Sequence, residues 1–320
     1  MKKSITVLVS ALGALLALSS CSKGASNKNF ILATGGTSGT YYPFGGAIAN
    51  IWNTKIEKMN VTAQATGASA ENLRLISKSE AEFAIVQNDV MDYAYNGTDM
   101  FAGNKLNNLM TIGTLYPEVV QIAASKSSGI KSVADLKGKR VSIGDAGSGV
   151  EFNAKQILAG YGLTFDDIKK NNLSFKESAE GIQNGTLDAC FITAGVPNSA
   201  LQELAFTAGL ILIPVDGDAA DKICETHSFY TKTVIPGGTY EGTPNDTAAL
   251  AIKATLAVSA KLDEETVYEM TKALFENTDE LGQAHAKGKE VSAASAVTGV
   301  SVPFHPGAVK YFKEAGFNVQ

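Results

Sequence analysis

The chain has 320 residues, which at roughly 100 to 200 residues per domain leaves room for two lobes and excludes a peptide or a long multidomain array. Hydrophobic residues make up 45% of the sequence and charged residues 18%, which excludes a disordered chain and predicts a sizeable core. The 27 basic and 32 acidic side chains give a net charge of −5, so a nucleic-acid partner is not expected.

The N-terminus has the pattern of an export signal. Two lysines precede an apolar run over 5–18, which is too short to cross a bilayer but long enough for the core of a signal peptide. The run ends in Leu-Ser-Ser-Cys, which resembles a bacterial lipobox. We expect residues 1–20 to be removed as a lipoprotein signal peptide, Cys21 to carry the lipid anchor, and residues 21–29 to form a flexible tether. A buried N-terminal helix is the alternative.

The cysteines and histidines predict no metal site. Besides Cys21 the sequence has Cys190 and Cys224, which are equally compatible with a disulfide in an oxidising compartment and with two buried thiols. No pair of cysteines or histidines has the spacing of a metal-binding motif. We therefore predict neither a metal nor another cofactor.

The first half of the chain follows the order strand, glycine-rich loop, helix, strand, helix, strand. Strands are predicted over 30–33, 61–64 and 83–87, and helices over 43–54 and 70–77. Strands that alternate with helices are typical of βαβ units and a parallel sheet.

The second half repeats this order. Strands are predicted over 140–143, 173–175 and 189–193, and helices from after Glu151 to about 160 and over 179–184. The repetition favours two lobes of similar plan, although any two α/β lobes share this order of elements.

Two segments are predicted to connect the lobes. A long apolar strand over 110–125 suits the first crossing, and 228–234 suits the return. Lobe 1 would then contain 30–117 and 235–320, and lobe 2 would contain 118–234. The C-terminal part is predicted to be helical and to pack on lobe 1, with helices over 248–260, 264–275 and 279–287. Two lobes joined by two crossings form a hinge and a cleft, where ligands bind beyond the carboxyl ends of strands.

Two loops at predicted strand ends have the chemistry of an anion site. Residues 37–40 and 147–149 each combine glycine with a hydroxyl side chain immediately before a helix. Free amides of a first helical turn and the positive end of the helix dipole attract carboxylate or phosphate. Serine and threonine also cap helices without any ligand, so it is the pair of loops facing each other that predicts binding.

No motif in the sequence assembles a reaction. The glycine loops match neither a P-loop nor a dinucleotide-binding motif, and neither Ser38 nor Ser148 lies in a nucleophile elbow. His305 lies in a turn-like context that suits a solvated or capping role. We therefore predict a binding protein and not an enzyme. A secreted α/β enzyme acting on a small carboxylate, and a surface lipoprotein with an adhesive or immunogenic role, remain as alternatives.

Several segments occur together in an order that resembles one family. They are TGGTSGTYYP at 34–43, ENLRLI at 71–76, AIVQND at 84–89, LYPE at 115–118, VADLKGKRV at 133–141 and GSG at 147–149. The set resembles the TAXI family, the solute-binding receptors of TRAP transporters. The resemblance implies an α/β, two-lobe periplasmic-binding-protein fold of type II with a hinge and an interlobe cleft.

The same resemblance implies a function. A TAXI receptor captures a small organic acid, such as glutamate, 2-oxoglutarate or a related dicarboxylate, by hinge closure. It delivers this ligand to the ion-driven TRAP membrane permease. The chain would therefore be a periplasmic or cell-surface protein anchored to the membrane by its N-terminal lipid.

Carried over by position, the resemblance implies a ligand site that both lobes share. Its residues are Ser38, Gly39, Thr40, Tyr41, Gln87 and Asn88 from lobe 1, Tyr116 at the hinge, and Ser148, Gly149, Val150 and Val196 from lobe 2.

The chain departs from the family pattern at Asp145, where small or polar residues are usual. A carboxylate there repels an anionic ligand or accepts a hydrogen bond from an ammonium. The arginine that clamps carboxylate in DctP-type receptors has no clear counterpart, because Arg74 and Arg140 suit structural roles on a helix and at a strand start.

Overall fold

A computed structural model describes residues 28–320. The predicted signal peptide, Cys21 and most of the predicted tether lie outside these described residues. Residues 28 and 29, predicted to belong to the tether, are the first residues of a strand. No helix among the described residues is long and apolar enough to cross a membrane.

Ten strands and eleven α-helices make up the described chain. The strands are β1 Lys28–Ala33, β2 Met59–Gln64, β3 Phe83–Gln87, β4 Leu109–Ala124, β5 Arg140–Ser142, β6 Lys169–Asn171, β7 Ala189–Ala194, β8 Ile211–Ile213, β9 Thr231–Ile235 and β10 Thr247–Ser259. The helices are α1 Tyr41–Lys55, α2 Ser69–Lys78, α3 Asn88–Asn96, α4 Gly149–Gly160, α5 Phe175–Gln183, α6 Ser199–Thr207, α7 Gly217–Thr226, α8 Glu264–Phe275, α9 Thr278–Ala284, α10 Ala293–Ala296 and α11 Pro306–Glu314.

The predicted repeat is present in the sheet. In the first unit the strand order is β2-β1-β3, and β3 lies antiparallel to β10. In the second unit the order is β6-β5-β7, and β7 lies antiparallel to β4. Strands within each unit are parallel, and β3 and β7 are buried at every residue, as expected for strands covered by helices on both faces.

The long strands β4 and β10 join the two lobes. They pair antiparallel along most of their length, with Pro117 opposite Lys253 and Glu118 opposite Ile252. The register of the pair shifts between Lys253 and Thr255, directly beside this point. A proline and an irregular register both weaken ladder hydrogen bonding, so the two strands can bend here.

The predicted helix over 248–260 is wrong, because these residues form β10. The segment contains apolar residues at nearly every position and is buried on both faces, so it lacks the polar face that a surface helix shows. It is also the return connection between the lobes. The predicted return segment, 228–234, instead forms most of β9, which pairs with the first half of β10.

Residues 235–251, expected in lobe 1, pack with the second lobe. Ile235, Tyr240 and Ala249 share a hydrophobic cluster with Ile192 and Leu201. The predicted strand over 173–175 is also displaced: β6 ends at 171, and Ser174 caps α5 by accepting a hydrogen bond from the Glu177 amide.

The C-terminal helices pack on lobe 1 as predicted. Val267, Met270 and Leu274 of α8 lie in one cluster with Leu32 of β1 and residues of α1. Trp52 of α1 is fully buried there, and its indole N–H donates to the Met270 carbonyl at 2.8 Å. Burial of a large aromatic ring with its polar atom satisfied fixes α1, and so holds the loop before it in place.

Two questions that the sequence leaves open are settled by local contacts. Cys190 and Cys224 are free, so the disulfide is not formed. Arg140 at the start of β5 is paired with Asp188, with 2.6 Å between a guanidinium nitrogen and a carboxylate oxygen. This is the structural role expected of Arg140.

Candidate functional site

A cavity lies between the lobes, beyond the carboxyl ends of β1, β3, β5 and β7. This is the edge of the sheet where the ligands of α/β proteins bind. The lining residues are Gly35, Gly36, Ser38, Gly39, Thr40, Tyr41, Ala68, Ser69, Gln87, Glu118, Asp145, Ser148, Gly149, Val150, Phe175, Thr193 and Ala194.

The first-lobe loop ends at the N-terminus of α1 without a capping side chain. Thr40 stands at the N-cap position but makes no capping hydrogen bond. Its hydroxyl instead accepts from the Gly195 amide of lobe 2 at 3.1 Å. Pro43 has no amide hydrogen, but the Tyr41 and Tyr42 amides of the first turn have no acceptor within the helix, so this end of the cavity offers donors to an anion.

The second-lobe loop ends at the N-terminus of α4, where Ser148 is the cap. Its hydroxyl accepts from the Glu151 amide at 3.3 Å, so the capping role expected as an alternative is real for this side chain. Ser148 also lines the cavity and is buried. The amides of Gly149 and Val150, the next two residues, belong to the uncapped part of the first turn.

Gln87 and Gly149 meet across the cleft. Gln87 ends β3, and a Cβ added to Gly149 would collide with the Gln87 side-chain amide. A side chain at position 149 would therefore require the Gln87 amide to move. Gln87 is 2% exposed, and its Oε1 atom has no hydrogen-bond partner within the described structure. A buried acceptor without a donor is costly, so a ligand donor would satisfy it.

Glu118 places a carboxyl group inside the cavity wall at the hinge. It is 2% exposed and accepts a hydrogen bond from the Tyr41 hydroxyl, at 2.6 Å on Oε2. Burial raises the pKa of Glu118 to about 8, and the bond from Tyr41 only partly opposes this. Burial, followed by the charge of Glu118, likewise raises the pKa of Tyr41.

Asp145 adds a second carboxyl group where the cavity opens. It is half-buried, and burial raises its pKa, with smaller contributions from the charges of Glu177 and Glu71. No lysine, arginine or histidine is among the residues that line the cavity in the described chain. Arg74 is not a lining residue, and its guanidinium lies over the Phe101 ring, 5.0 Å from the centroid. The electrostatic potential in the cavity therefore comes from acids and helix N-termini.

Eight of the eleven predicted site residues line the cavity, namely Ser38, Gly39, Thr40, Tyr41, Gln87, Ser148, Gly149 and Val150. Their contact with a ligand remains a prediction. The structure brings them together from α1, β3 and α4, as the paired-loop argument expects.

Three predicted site residues lie outside the lining. The Asn88 side chain bonds the Lys253 amide at 3.1 Å and faces Gly299, on the far side of β3. Tyr116 is buried behind the wall, with its ring 4.9 Å from that of Phe44. Val196 packs into the lobe 2 core, and its place at the cavity is taken by Thr193 and Ala194.

Glu118, Phe175, Thr193 and Ala194 line the cavity without having been predicted. Glu118 lies in the LYPE segment and Thr193 at the end of a predicted strand, so the strand-end rule could have found both. Phe175 was hidden by the misplaced strand over 173–175, since it in fact begins α5.

A second contact between the lobes lies away from the cavity. Asn153 of α4 donates to Asp89 of α3 at 3.3 Å, and Gln156 donates to the Tyr93 hydroxyl at 3.0 Å. Burial raises the pKa of Asp89 to about 7. Together with the Thr40 contact, these bonds show the lobes closed on each other in this structure.

The remaining titratable groups of the described chain do not form a metal site. No group of three or more histidine, cysteine, aspartate or glutamate side chains within 28–320 has metal-site geometry. His305 is buried and caps α11, because its Nδ1 accepts from the Gly307 amide at 3.2 Å. The capping role predicted for this histidine is confirmed.

Comparisons with known proteins agree with this architecture. A family model described as "NMT1-like family" matches residues 32–316. A solved protein from Bordetella bronchiseptica RB50 is 16% identical, with 91% of this chain and 89% of that chain covered and a TM-score of 0.55. The alkanesulfonate-binding protein SsuA from Xanthomonas axonopodis pv. citri, bound to MOPS, is 15% identical, with 91% and 92% covered and a TM-score of 0.51.

A binding protein component of an ABC phosphonate transporter from Pseudomonas aeruginosa is 13% identical, with 82% and 79% covered and a TM-score of 0.52. At these identities the likeness shows the fold. The predicted α/β, two-lobe periplasmic-binding-protein fold is therefore confirmed, while the TAXI resemblance and the ligand remain predictions.

Proposed function

We propose that this chain, which belongs to the NMT1-like family, is an extracytoplasmic solute-binding receptor that captures a small organic acid between its lobes and delivers it to a membrane permease. The observation that carries this proposal is the cavity itself. Both lobes line it, and two helix N-termini end at it.

The proposed mechanism is binding coupled to hinge closure. A ligand carboxylate accepts hydrogen bonds from the first-turn amides of α1 and α4, which belong to different lobes. A ligand that touches both lobes binds the closed form better than the open form, and so shifts the population toward closure. The irregular pairing of β4 with β10 near Pro117 would supply the hinge. No bond is made or broken in the ligand.

We further propose that the partner is the ion-driven permease of a TRAP transporter, as the TAXI resemblance implies. The export signal over 1–20 and the lipidated Cys21 would hold the receptor at the outer side of a membrane, in the periplasm or at the cell surface. Closure would then present the permease with a surface that only the loaded receptor has.

A thermal-shift screen tests capture of a solute. The purified chain is heated with amino, keto and dicarboxylic acids, and a ligand that binds only the folded protein raises the melting temperature. We expect at least one small acid to do so and to be recovered unchanged. A screen in which no acid alters the melting temperature contradicts the proposal, and conversion of the bound acid favours an enzyme instead.

A transport assay tests the partner. Membrane vesicles that carry the permease encoded beside this gene are given the labelled solute with and without the purified chain. We expect uptake to require both the chain and an ion gradient. Uptake driven by ATP without a gradient would instead place the receptor with an ABC-type transporter, the class named for the Pseudomonas aeruginosa structural neighbour.

A further inference from the structure

The polar groups deepest in the cavity are acceptors. Glu118 is almost fully buried and offers carboxylate oxygens of which only Oε2 has a recorded bond, the one from Tyr41. Gln87, equally buried, offers Oε1 without any donor among the described residues. A ligand that carried acceptors alone would leave Gln87 Oε1 unsatisfied, at the desolvation cost of a buried polar group.

The charges around the cavity also favour a ligand that carries a hydrogen-bond donor or a positive group. Asp145 lies where the cavity opens, and the charged groups that act on it are the acids Glu177 and Glu71. Among the residues that line the cavity, the positive charges are the partial charges of helix N-termini, each equivalent to roughly half an elementary charge. The two helix N-termini together therefore balance the negative charge of about one carboxylate. A second carboxylate would share the cavity with Asp145, and no lysine, arginine or histidine lines the cavity in the described chain to oppose their repulsion.

We propose that the ligand is a zwitterion, with its ammonium on Glu118 and Gln87 and its single carboxylate on the first-turn amides of α1 and α4. The ligand class is therefore an α-amino acid whose side chain bears no carboxylate, and 2-oxo acids and dicarboxylates are selected against. This inference rests on the proposed function and narrows the ligand from the dicarboxylates that the TAXI resemblance implies.

Matched ligands test the charge requirement by isothermal titration of the purified chain. Each common L-amino acid is compared with the 2-oxo acid of the same carbon skeleton, and succinate, glutarate and 2-oxoglutarate are included. We expect at least one amino acid with a single carboxylate to bind at least tenfold more tightly than its 2-oxo counterpart and than any dicarboxylate.

Glu118→Gln tests the residue that carries the inference. The amide has nearly the same shape and can still accept from Tyr41. It cannot ionise when an ammonium approaches, whereas the buried Glu118 carboxyl can do so by releasing its proton. We expect the amino acid to bind at least tenfold more weakly and the preference over its 2-oxo acid to shrink by a similar factor. Glu80→Gln, at an exposed glutamate outside the cavity, should change neither quantity. Asp145→Asn, at the half-buried acid, gives a second test if Glu118→Gln does not fold.

The outcomes separate this inference from the proposed function. If a 2-oxo acid or a dicarboxylate binds most tightly, the inference of a zwitterionic ligand is wrong, but the proposed capture of a small organic acid is not contradicted. If neither Glu118→Gln nor Asp145→Asn changes the preference for the amino acid, the assigned ammonium position is wrong. If no acid of the panel binds, both the inference and the proposed function fail.

Discussion

Asp89 and Glu118 are two carboxyl groups that the closed fold holds out of water. Burial is the main cause of the raised pKa of each, because the charged form loses more hydration than nearby donors restore. Their sequence positions were included in segments that resemble the TAXI family, but the sequence alone does not say which acids are buried. That follows from the closure of two lobes that are far apart in the chain.

Stability should fall as the pH rises through the interval that these two acids span. An acid with a raised pKa keeps its proton to a higher pH in the folded state than in the unfolded chain. Between the two pKa values only the unfolded chain loses the proton, and this favours unfolding. For Asp89 the interval runs from 3.8 to about 7, and for Glu118 from 4.5 to about 8. Each group contributes at most about 1.4 kcal/mol per pH unit within its interval.

Asp89→Asn should flatten this dependence. The amide has no charge to desolvate, so the free energy of unfolding should change less across the interval than in the original chain. Urea unfolding at a series of pH values measures this, with Asp218→Asn at an exposed aspartate as the control. Equal pH dependence in Asp89→Asn and in the original chain would show that Asp89 does not keep its proton in the fold.

At the scale of elements, α4 is the helix whose start both closes the cavity and makes a cap. Ser148→Ala removes the cap, which typically costs about 1 kcal/mol of stability. We expect it also to weaken ligand binding several-fold, because the first turn of α4 becomes less ordered at the cavity wall. Ser292→Ala removes the cap of α10, outside the cavity, and should lose stability without losing affinity. If Ser148→Ala binds the ligand as tightly as Ser292→Ala does, the first turn of α4 is not part of the ligand site.

Gly149→Ala tests the close approach of α4 to β3. The new methyl group collides with the buried Gln87 amide only when the lobes are closed, so the variant should fold and yet bind at least tenfold more weakly. Gly46→Ala, at an exposed glycine of α1 with open space around it, is the matched control and should bind normally. Titration of both variants with the same acid measures the two affinities. An unchanged affinity in Gly149→Ala would show that the lobes do not close at the contact between Gly149 and Gln87.

The elements that the sequence predicts well are those with a local signal. The β3 and α4 segments have turn residues and caps at their ends, and their predicted bounds differ little from the observed ones. The strand β10 has no such signal, since its continuous apolar run reads equally as a buried helix. This segment is a strand because it pairs with β4, more than a hundred residues earlier in the chain. A local sequence pattern does not contain that information.

At the scale of the whole molecule, the interlobe contacts distant from the cavity add to closure. Gln156 of α4 donates to Tyr93 of lobe 1 and accepts from Tyr230 of lobe 2, at 3.0 and 2.7 Å. The affinity of a ligand that needs the closed form falls with the closed fraction. Gln156 thus influences binding without touching the ligand.

Gln156→Ala should therefore lower affinity several-fold and increase the radius of gyration of the ligand-free chain. Small-angle scattering measures the radius, and titration measures the affinity. Gln183→Ala, at an exposed glutamine, should change neither. If Gln156→Ala leaves both quantities unaltered, the α3–α4 contact does not contribute to the hinge equilibrium.

The most direct test of capture between the lobes is a crystal structure of the chain with the acid that most raises its melting temperature. We expect electron density for that acid in the cavity, in contact with the first turns of α1 and α4 and with the lobes closed. Density for the acid at another place, or a bound acid with the lobes apart, would contradict the account.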